Sequence, residues 1–177
     1  MPKYLLENQA SERLIFRKLT ASDFDDWLPF YHNPKSTQFW EGLPTDPVKA
    51  CREQFNRVFE RYENDLGGMN ALISKESGES GELVGICGLL VQTVDNVQEL
   101  EIGYSILPKH WLQGYAIEAA QKCKKHAFDN SFSDSLISII HVDNVLSQKV
   151  AKKNGMCLDK TTTYKDNPVH IFRVNRG

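Results

Sequence analysis

The stretch that decides the fold is Ile102–Ala119, which reads I-G-Y-S-I-L-P-K-H-W-L-Q-G-Y-A-I-E-A. An apolar strand is predicted to run into Pro108, and a short polar turn then leads to Gly114, where a helix begins. The helix carries small residues on one face, at Ala116, Ala120, Cys123 and Ala127. A helix that starts at a glycine just after a strand directs its unpaired N–H groups and the positive end of its dipole at one point. This pattern predicts a phosphate site at the start of the helix.

The strand-to-helix step occurs a second time about 25 residues further along the chain. A continuous apolar strand at about Leu136–Val142 is followed by Asp143-Asn144 and by a helix predicted from about Val145 to Asn154. Gly155 is expected to end that helix. Two such steps predict parallel crossover connections within one sheet.

The remaining elements are placed from apolar spacing and turn residues. Strands are predicted at about Arg13–Leu19, Asn70–Lys75, Leu83–Thr93 and Glu99–Leu107, with one or two more in the tail Cys157–Val174. A short amphipathic helix is predicted between a capping box at Thr20 and Tyr31, and a long one begins at Asp46-Pro47 and is ended by Gly67-Gly68. Loops are expected at Asn33-Pro34 and Gly42–Pro44, and a tight turn at Asp95-Asn96. The expected fold class is α/β (α+β). It is a single domain over residues 1–177, with a mixed, mostly antiparallel sheet of six to seven strands and about four helices.

Composition and charge restrict the class of protein. The chain has 177 residues, of which 41% are hydrophobic and 25% charged, and its formal net charge is −2. These values are typical of a folded globular protein and give no overall basic field to attract nucleic acid or anionic lipid. Met1–Glu7 lacks the apolar core of a signal peptide, and the longest apolar run, Leu83–Val91, is too short to span a bilayer. We therefore expect a cytoplasmic protein with neither nucleic acid nor membrane as a partner. The four cysteines form no C-x-x-C pair, and no metal site is expected.

Four segments of the chain resemble the GCN5-related N-acetyltransferase (GNAT) family, and within it the branch that acetylates ribosomal-protein N-termini and related amines. The segments are E-R-L-I-F-R-K-L-T-A-S-D at 12–23, E-I-G-Y-S-I-L-P-K-H-W at 101–111, L-Q-G-Y-A-I-E-A at 112–119 and V-D-N-V-L-S-Q-K-V-A-K-K-N-G at 142–155. Each segment alone is a weak signal, but together they occur in the family's order and at its spacing. No G-K-[ST] phosphate loop offers a competing interpretation.

The resemblance implies acetyl-coenzyme A as the acetyl donor. Backbone N–H groups of Gln113, Gly114, Tyr115 and Ala116 are expected to hold its pyrophosphate. The strand around Ile106 and Leu107 is expected to separate from its neighbour and to bind the pantetheine arm as an added strand would. Asn144 is expected to hydrogen-bond that arm, and Lys152 or Lys153 to meet an outer phosphate.

One residue departs from the pattern of this branch. Trp111 matches the residue that opens the branch's phosphate loop, but Leu112 stands where glycine is common. A leucine is strained wherever the backbone needs a positive φ. Leu112 therefore predicts either a right-handed backbone at this position or a rearranged loop.

Acetyl transfer from a thioester needs a neutral amine, a stabilised oxyanion and a route for the proton. The neutral form costs about 1 kcal/mol at pH 7 for an α-amine of pKa ~8, and about 4.6 kcal/mol for a lysine of pKa ~10.4. Glu101, on the strand that borders the acetyl group, is the candidate base, and its alternative is a solvated or salt-bridged strand residue. Ser147 is the candidate proton donor to the thiolate by its family position, and its alternative is a helix-surface hydroxyl. A backbone N–H near Ile106 is the expected oxyanion donor.

The function expected from these residues is N-acetyl transfer from acetyl-coenzyme A to a primary amine, with a protein N-terminal α-amine as one candidate. The alternatives are a small-molecule amine acceptor, such as a polyamine, amino acid or aminoglycoside, and a non-catalytic sensor that only binds coenzyme A. Trp40 could shape an acceptor pocket or fill the core. The sequence leaves the acceptor open, and it leaves open whether the protein is a monomer or a homodimer.

Overall fold

The computed structural model describes residues 2–177, so Met1, the first residue of the segment examined for a signal peptide, lies outside it. In these residues seven strands form one sheet. The strands are β1 Leu14–Lys18, β2 Gly67–Ser74, β3 Leu83–Val94, β4 Val97–Ile106, β5 Ser135–His141, β6 Cys157–Tyr164 and β7 Asn167–Asn175. The helices of the same residues are α1 Phe24–Trp27, α2 Pro29–His32, α3 Pro34–Thr37, α4 Pro47–Glu63, α5 Tyr115–Asp129 and α6 Val145–Lys153.

The sheet is mixed and mostly antiparallel, as the sequence predicted. Its spatial order is β1-β2-β3-β4-β5-β7-β6. The β4–β5 pair is parallel and is connected by α5, while the other neighbouring strands pair antiparallel. After β5, α6 leads across to β6, and β7 then returns between β5 and β6. The two predicted strand-to-helix steps therefore meet at the centre of the sheet.

The turn between β3 and β4 has a two-residue loop. Val94 pairs with Val97, and the residues between them, Asp95 and Asn96, have φ values of 48° and 66°. Positive φ at both central positions matches the right-handed twist of hairpin strands, and Asp and Asn tolerate it better than most residues. This hairpin fixes the register of β4, which carries the candidate site.

Helices cover both faces of the sheet, because apolar side chains alternate along the central strands. On one face, Leu72, Leu89 and Ile102 pack with the small residues of α5. On the other face, neighbours such as Ile73 pack with α4 and with Trp27 of α1. In α5, Ala119, Ala120, Cys123 and Ala127 are fully buried. Three residues of the predicted small-residue face thus let α5 lie close to the sheet, while the fourth, Ala116, is only partly buried.

The segment before α4 differs from the prediction. The capping box at Thr20 is present, but the single helix expected after it is two short helices, α1 and α2. The second begins at Pro29, whose nitrogen has no hydrogen to donate to the carbonyl four residues earlier. A third short helix, α3, replaces the loop expected at Asn33-Pro34, because the Asn33 side chain accepts from the Lys35 N–H at 3.0 Å.

The end of the long helix also differs. The start is as predicted, with the Asp46 side chain capping α4 at the Val48 N–H. The helix ends at Glu63, and Gly67 and Gly68 belong to β2 instead of forming its end. A side chain on Gly67 would have its Cβ 1.9 Å from the Leu89 carbonyl oxygen, so the glycine is needed for strand pairing. No helix in residues 2–177 combines the length and apolarity needed to cross a membrane.

Candidate active site

The central feature of the site is the separation of β4 from β5. Within the described residues, the ladder between these strands has the single pair Glu101–Ile137. Just beyond this pair, the hydrogen bonds between the two strands involve side chains. The Glu101 carboxylate accepts from the Ile139 N–H at 3.4 Å, and the Ser138 hydroxyl donates to the Ile102 carbonyl at 2.8 Å. The strands then diverge and leave a cleft, as predicted.

The cleft has a volume of about 930 Å³. At one end it is lined by the loop before α5 and the first turn of α6, at the other by side chains from the segment before α4 and by Met69 of β2. Its lining residues at the first end include Leu112, Gly114, Ala116, Val145 and Ser147. At the second end they include Phe30, Phe39, Trp40 and Met69. Glu101 also lines the cleft, so a molecule lying along it would touch both ends and this carboxylate.

The start of α5 presents free N–H groups to the cleft. Gly114, with φ +82°, precedes the helix, and no side chain caps it. The helical bonding begins with the Glu118 N–H to the Gly114 carbonyl, so the N–H groups of Tyr115, Ala116 and Ile117 precede the first helical bond. Gly114, Tyr115, Ala116 and Ile117 line the cleft, whereas the Gln113 side chain turns back to the Lys109 carbonyl.

The structure shows the backbone conformation of Leu112, the residue that departs from the pattern of the branch. Of the two predicted alternatives, the right-handed backbone is not observed, and a rearranged loop stays a prediction. Leu112 takes φ +61°, in the left-handed region, and its side chain is 89% exposed. The leucine thus adopts the backbone that a glycine would take here, at a cost of roughly 1–2 kcal/mol.

Arg13 stabilises this loop from the start of β1, and the sequence did not single it out. Its guanidinium donates to the Gln113 carbonyl at 2.9 Å, lies 4.4 Å from the centre of the Tyr115 ring and pairs with Glu118 at 2.7 Å. The contact with the Glu118 carboxylate keeps the pKa of Arg13 above its ordinary value. A fixed positive charge therefore lies beside the free N–H groups. No local pattern could have shown this, because Arg13 and Gln113 are 100 residues apart.

The end of β4 has fewer unpaired backbone N–H and C=O groups than predicted. The Leu107 N–H donates to the Val84 carbonyl, and the Leu107 side chain is buried in the core instead of lining the cleft. The Ile106 carbonyl accepts from the Trp111 indole at 2.7 Å. Because Ile102 directs its backbone toward β5, strand alternation directs Tyr104 and Ile106 there too. The groups left facing the gap are the Ile106 N–H and both backbone groups of Tyr104.

The first turn of α6 faces the same gap. The Asn144 side-chain oxygen caps the helix by accepting from the Ser147 N–H at 3.2 Å, which leaves the Asn144 amide hydrogens available. The Tyr104 hydroxyl donates to the Ser147 carbonyl at 2.7 Å and so links β4 to α6 across the cleft. Burial raises the pKa of Tyr104, so it stays a phenol and a donor. The Ser147 side chain lines the cleft.

The lysines of α6 differ from the prediction for Lys152. Lys149 and Lys153 line the cleft, and Lys152 is exposed away from it. Leu146, Lys149 and Lys153 lie at helical spacings of three and four residues and share one face, from which Lys152 is rotated by about 100°. Of the two lysines that the resemblance offered, the structure places Lys153 in the cleft.

Glu101 lies partly buried where the two strands separate. Burial raises the pKa of its carboxyl, and this outweighs the hydrogen bonds from Gln92 and the Ile139 N–H and the charges of Arg61 and Lys165, which lower it. The carboxylate is therefore more basic than one in water. A more basic carboxylate is better suited to accepting a proton near neutral pH.

The far end of the cleft is lined by aromatic side chains and by the polar side chains of Lys35, Ser36 and Gln38. Trp40, 37% exposed, lines both the cleft and a second cavity of about 290 Å³. The loop that carries Trp40 is attached to the β6–β7 turn, since the Glu41 N–H donates to the Asn167 side chain at 3.1 Å. Of the two interpretations of Trp40, the structure favours a pocket wall over a core residue. Within residues 2–177 no group of three or more His, Cys, Asp or Glu side chains could hold a metal ion.

The strain at Leu112 gives a stability prediction. Replacing Leu112 by glycine should stabilise the protein without ligand by about 1 kcal/mol, because relief of the left-handed strain exceeds the entropy that glycine adds to the unfolded chain. Leu112→Ala is the matched control, since it removes the exposed side chain but keeps the strain. Thermal unfolding should rank Leu112→Gly above Leu112→Ala. A lower midpoint for the glycine variant would show that the loop is unstrained.

Comparisons with known proteins agree with this geometry. Residues 13–157 match the model of the acetyltransferase (GNAT) domain. The chain is 30% identical over 142 residues to the uncharacterized protein YkkB of Bacillus subtilis, covering 80% of each chain. It superposes on an acetyltransferase from Agrobacterium tumefaciens with a TM-score of 0.79 at 24% identity, covering 98% of this chain and 97% of that one.

A further structural neighbour was solved with coenzyme A. It is RimL, a ribosomal L7/L12 α-N-protein acetyltransferase, with a TM-score of 0.74 at 15% identity, covering 98% of each chain. At this identity the likeness shows the fold alone. The domain match covers most of the chain, and together with the fold it shows that this protein belongs to the GNAT acetyltransferase family and is an acetyl-coenzyme A-dependent acyltransferase.

Proposed function

We propose that this protein transfers an acetyl group to a primary amine, with a protein N-terminal α-amine as the first candidate acceptor. One observation carries the proposal. A single cleft joins the uncapped start of α5 to the buried carboxylate of Glu101. The cytoplasmic location and the single domain over residues 1–177 stay predictions. The sequence leaves both a monomer and a homodimer open, and neither is selected here.

The residues present at the cleft suit the donor. The N–H groups of Gly114–Ile117 would hold the diphosphate, at the positive end of the α5 dipole. The backbone of Tyr104 and Ile106 would pair with the pantetheine amides, and the Asn144 amide would donate to the same arm. Lys149 and Lys153 supply positive charge for the outer phosphate. This set leaves out the predicted Gln113, Leu107 and Lys152, which do not line the cleft.

The chemistry follows from the groups beside the cleft. The amine nitrogen bonds to the thioester carbonyl carbon, and its proton passes to Glu101. The Ile106 N–H faces the gap and would stabilise the oxyanion. The carbon–sulfur bond then breaks, and the Ser147 hydroxyl gives a proton to the departing thiolate. Water returns the proton held by Glu101 to Ser147, so that both groups are restored. One carboxylate suffices for an α-amine, whose neutral form costs about 1 kcal/mol at pH 7, but not for an unperturbed lysine.

The charges of the cleft favour some acceptors over others. Its acidic lining residues are Glu101 and Asp143, while Lys35, Lys149 and Lys153 line it as well. Within residues 2–177 the lining of this cleft is therefore not an acidic groove, which would favour a basic peptide or a polyamine. A small neutral amine is the second candidate, because the cavity next to Trp40 has the volume of a single side chain or small molecule.

Donor binding can be tested at Gly114. Gly114→Asp should weaken coenzyme A binding at least tenfold relative to Gly114→Asn, because its charge would repel the diphosphate. Asparagine is the matched control, since it has the same size and the same tolerance of the left-handed backbone. Calorimetric titration gives both dissociation constants. Equal constants would place the diphosphate elsewhere.

The base can be tested at Glu101. Glu101→Gln should lower kcat at least tenfold with little change in donor affinity. In the unaltered protein, kcat at saturating amine should fall as the pH drops through a pKa above 4.5, the ordinary glutamate value, since the base works only when deprotonated. Glu79→Gln, in an exposed loop, is the control and should leave both unchanged. An unchanged kcat for Glu101→Gln at saturating amine would remove Glu101 from the mechanism.

The acceptor can be tested by thiol release from acetyl-coenzyme A with a panel of amines. A short peptide with a neutral N-terminal residue should react faster than the same peptide with a blocked N-terminus and a free lysine, and faster than a linear polyamine. A preference for the small neutral amine over the peptide would select the second candidate. Donor binding without thiol release for any amine would favour the sensor and contradict the proposal.

A further inference from the structure

Gln92 on β3 holds one oxygen of Glu101. Its side-chain amide donates to a Glu101 carboxylate oxygen at 3.0 Å. The amide orientation is fixed, because the Gln92 oxygen accepts from two groups, one of which, a guanidinium, can only donate. They are the Tyr164 hydroxyl at 2.6 Å and the Arg61 guanidinium at 3.1 Å. The NH₂ group is therefore the part of Gln92 left for the carboxylate.

The partners of Gln92 come from separate elements and are themselves fixed. Arg61, on α4, also donates to the Leu66 and Val91 carbonyls at 3.0 and 2.9 Å. Tyr164 ends β6, and burial raises its pKa to about 12, so its hydroxyl keeps its proton throughout the physiological range. Gln92 is thus held by a helix on one side and by the β6–β7 hairpin on the other.

We infer that Gln92 is a positioning residue for acetyl transfer, which orients the Glu101 carboxylate and stabilises its charged form. This inference rests on the role proposed for Glu101. The Gln92 bond occupies one carboxylate oxygen and leaves the other, which has only the longer contact with the Ile139 N–H, to take the proton from the amine. Arg61 and Tyr164 donate to Gln92 and so hold it in place, and the charge of Arg61 also favours the Glu101 carboxylate directly.

The charged and titratable groups around Glu101 show in which direction the loss of Gln92 would shift the pKa of Glu101. Arg61 of α4 and Lys165 of the β6–β7 turn are cations that favour the carboxylate. Tyr164 of β6 and Tyr104 of β4 have raised pKa values and stay neutral. Gln92 is the side chain that donates directly to the carboxylate. Loss of this donor raises the pKa of Glu101 further, since the charged form loses a hydrogen bond while the burial remains.

The test is the pH dependence of kcat at saturating amine for Gln92→Met, a variant of similar volume that cannot donate. The acid limb should move up by about one pH unit, with the dissociation constant of coenzyme A unchanged. Gln98→Met, on exposed β4 sequence close to the hairpin turn, is the matched control and should leave the limb in place. Gln92→Glu should move the limb further up than Gln92→Met, because a second carboxylate would face Glu101.

Tyr164→Phe keeps the inference testable if Gln92→Met does not fold. It removes one of the two donors that orient Gln92, so the limb should move in the same direction by a smaller amount. The role of Gln92 would be overturned if Glu101→Gln is inactive but the variants that fold have the same acid limb as the unaltered protein. An active Glu101→Gln would instead overturn the proposed base, so the two failures are distinguishable.

Discussion

The site depends on the separation of β4 from β5 immediately after Glu101. Parallel strands normally continue their ladder, because unpaired buried N–H and C=O groups are costly. Here the ladder stops because Glu101 accepts from the Ile139 N–H and Ser138 donates to the Ile102 carbonyl. Beyond these two bonds, the backbone of Tyr104 and Ile106 is left facing a gap that a ligand can fill. The same carboxylate that ends the ladder is the candidate base, so the shape of the cleft and its chemistry have one origin.

The loop before α5 shows how the chain keeps a strained phosphate site. Leu112 and Gly114 both take positive φ, and only Gly114 does so without strain. Arg13 and the Trp111 indole fix the loop by bonding to the Gln113 and Ile106 carbonyls. These contacts allow a leucine at a position where the branch commonly has glycine, and they keep the free N–H groups directed into the cleft.

Local patterns in the sequence were enough for much of the fold. The long helix from Asp46-Pro47, the Asp95-Asn96 turn and the two strand-to-helix steps all depend on residues close together in the chain, and the structure confirms them. The break at Pro29 was also visible in the sequence, but the apolar spacing from Phe24 to Tyr31 suggested one continuous helix. Here the missing N–H of proline outweighs the periodicity.

The site was less predictable, since its details depend on contacts between distant residues. Glu101, Gly114, Asn144 and Ser147 were identified, and the structure brings them to one cleft. The roles of Arg13 and Gln92 require knowing which strands and loops lie side by side. The choice of Lys153 over Lys152 depends on the rotation of α6 about its axis, which its packing sets.

The most direct test of the account is a crystal structure of the protein with coenzyme A. We expect the diphosphate at the start of α5, within hydrogen-bond distance of the N–H groups of Gly114–Ile117. We also expect the pantetheine arm between β4 and β5, with its sulfur close to Ser147 and Glu101. A coenzyme bound elsewhere, with β4 and β5 still apart and the cleft empty, would contradict it.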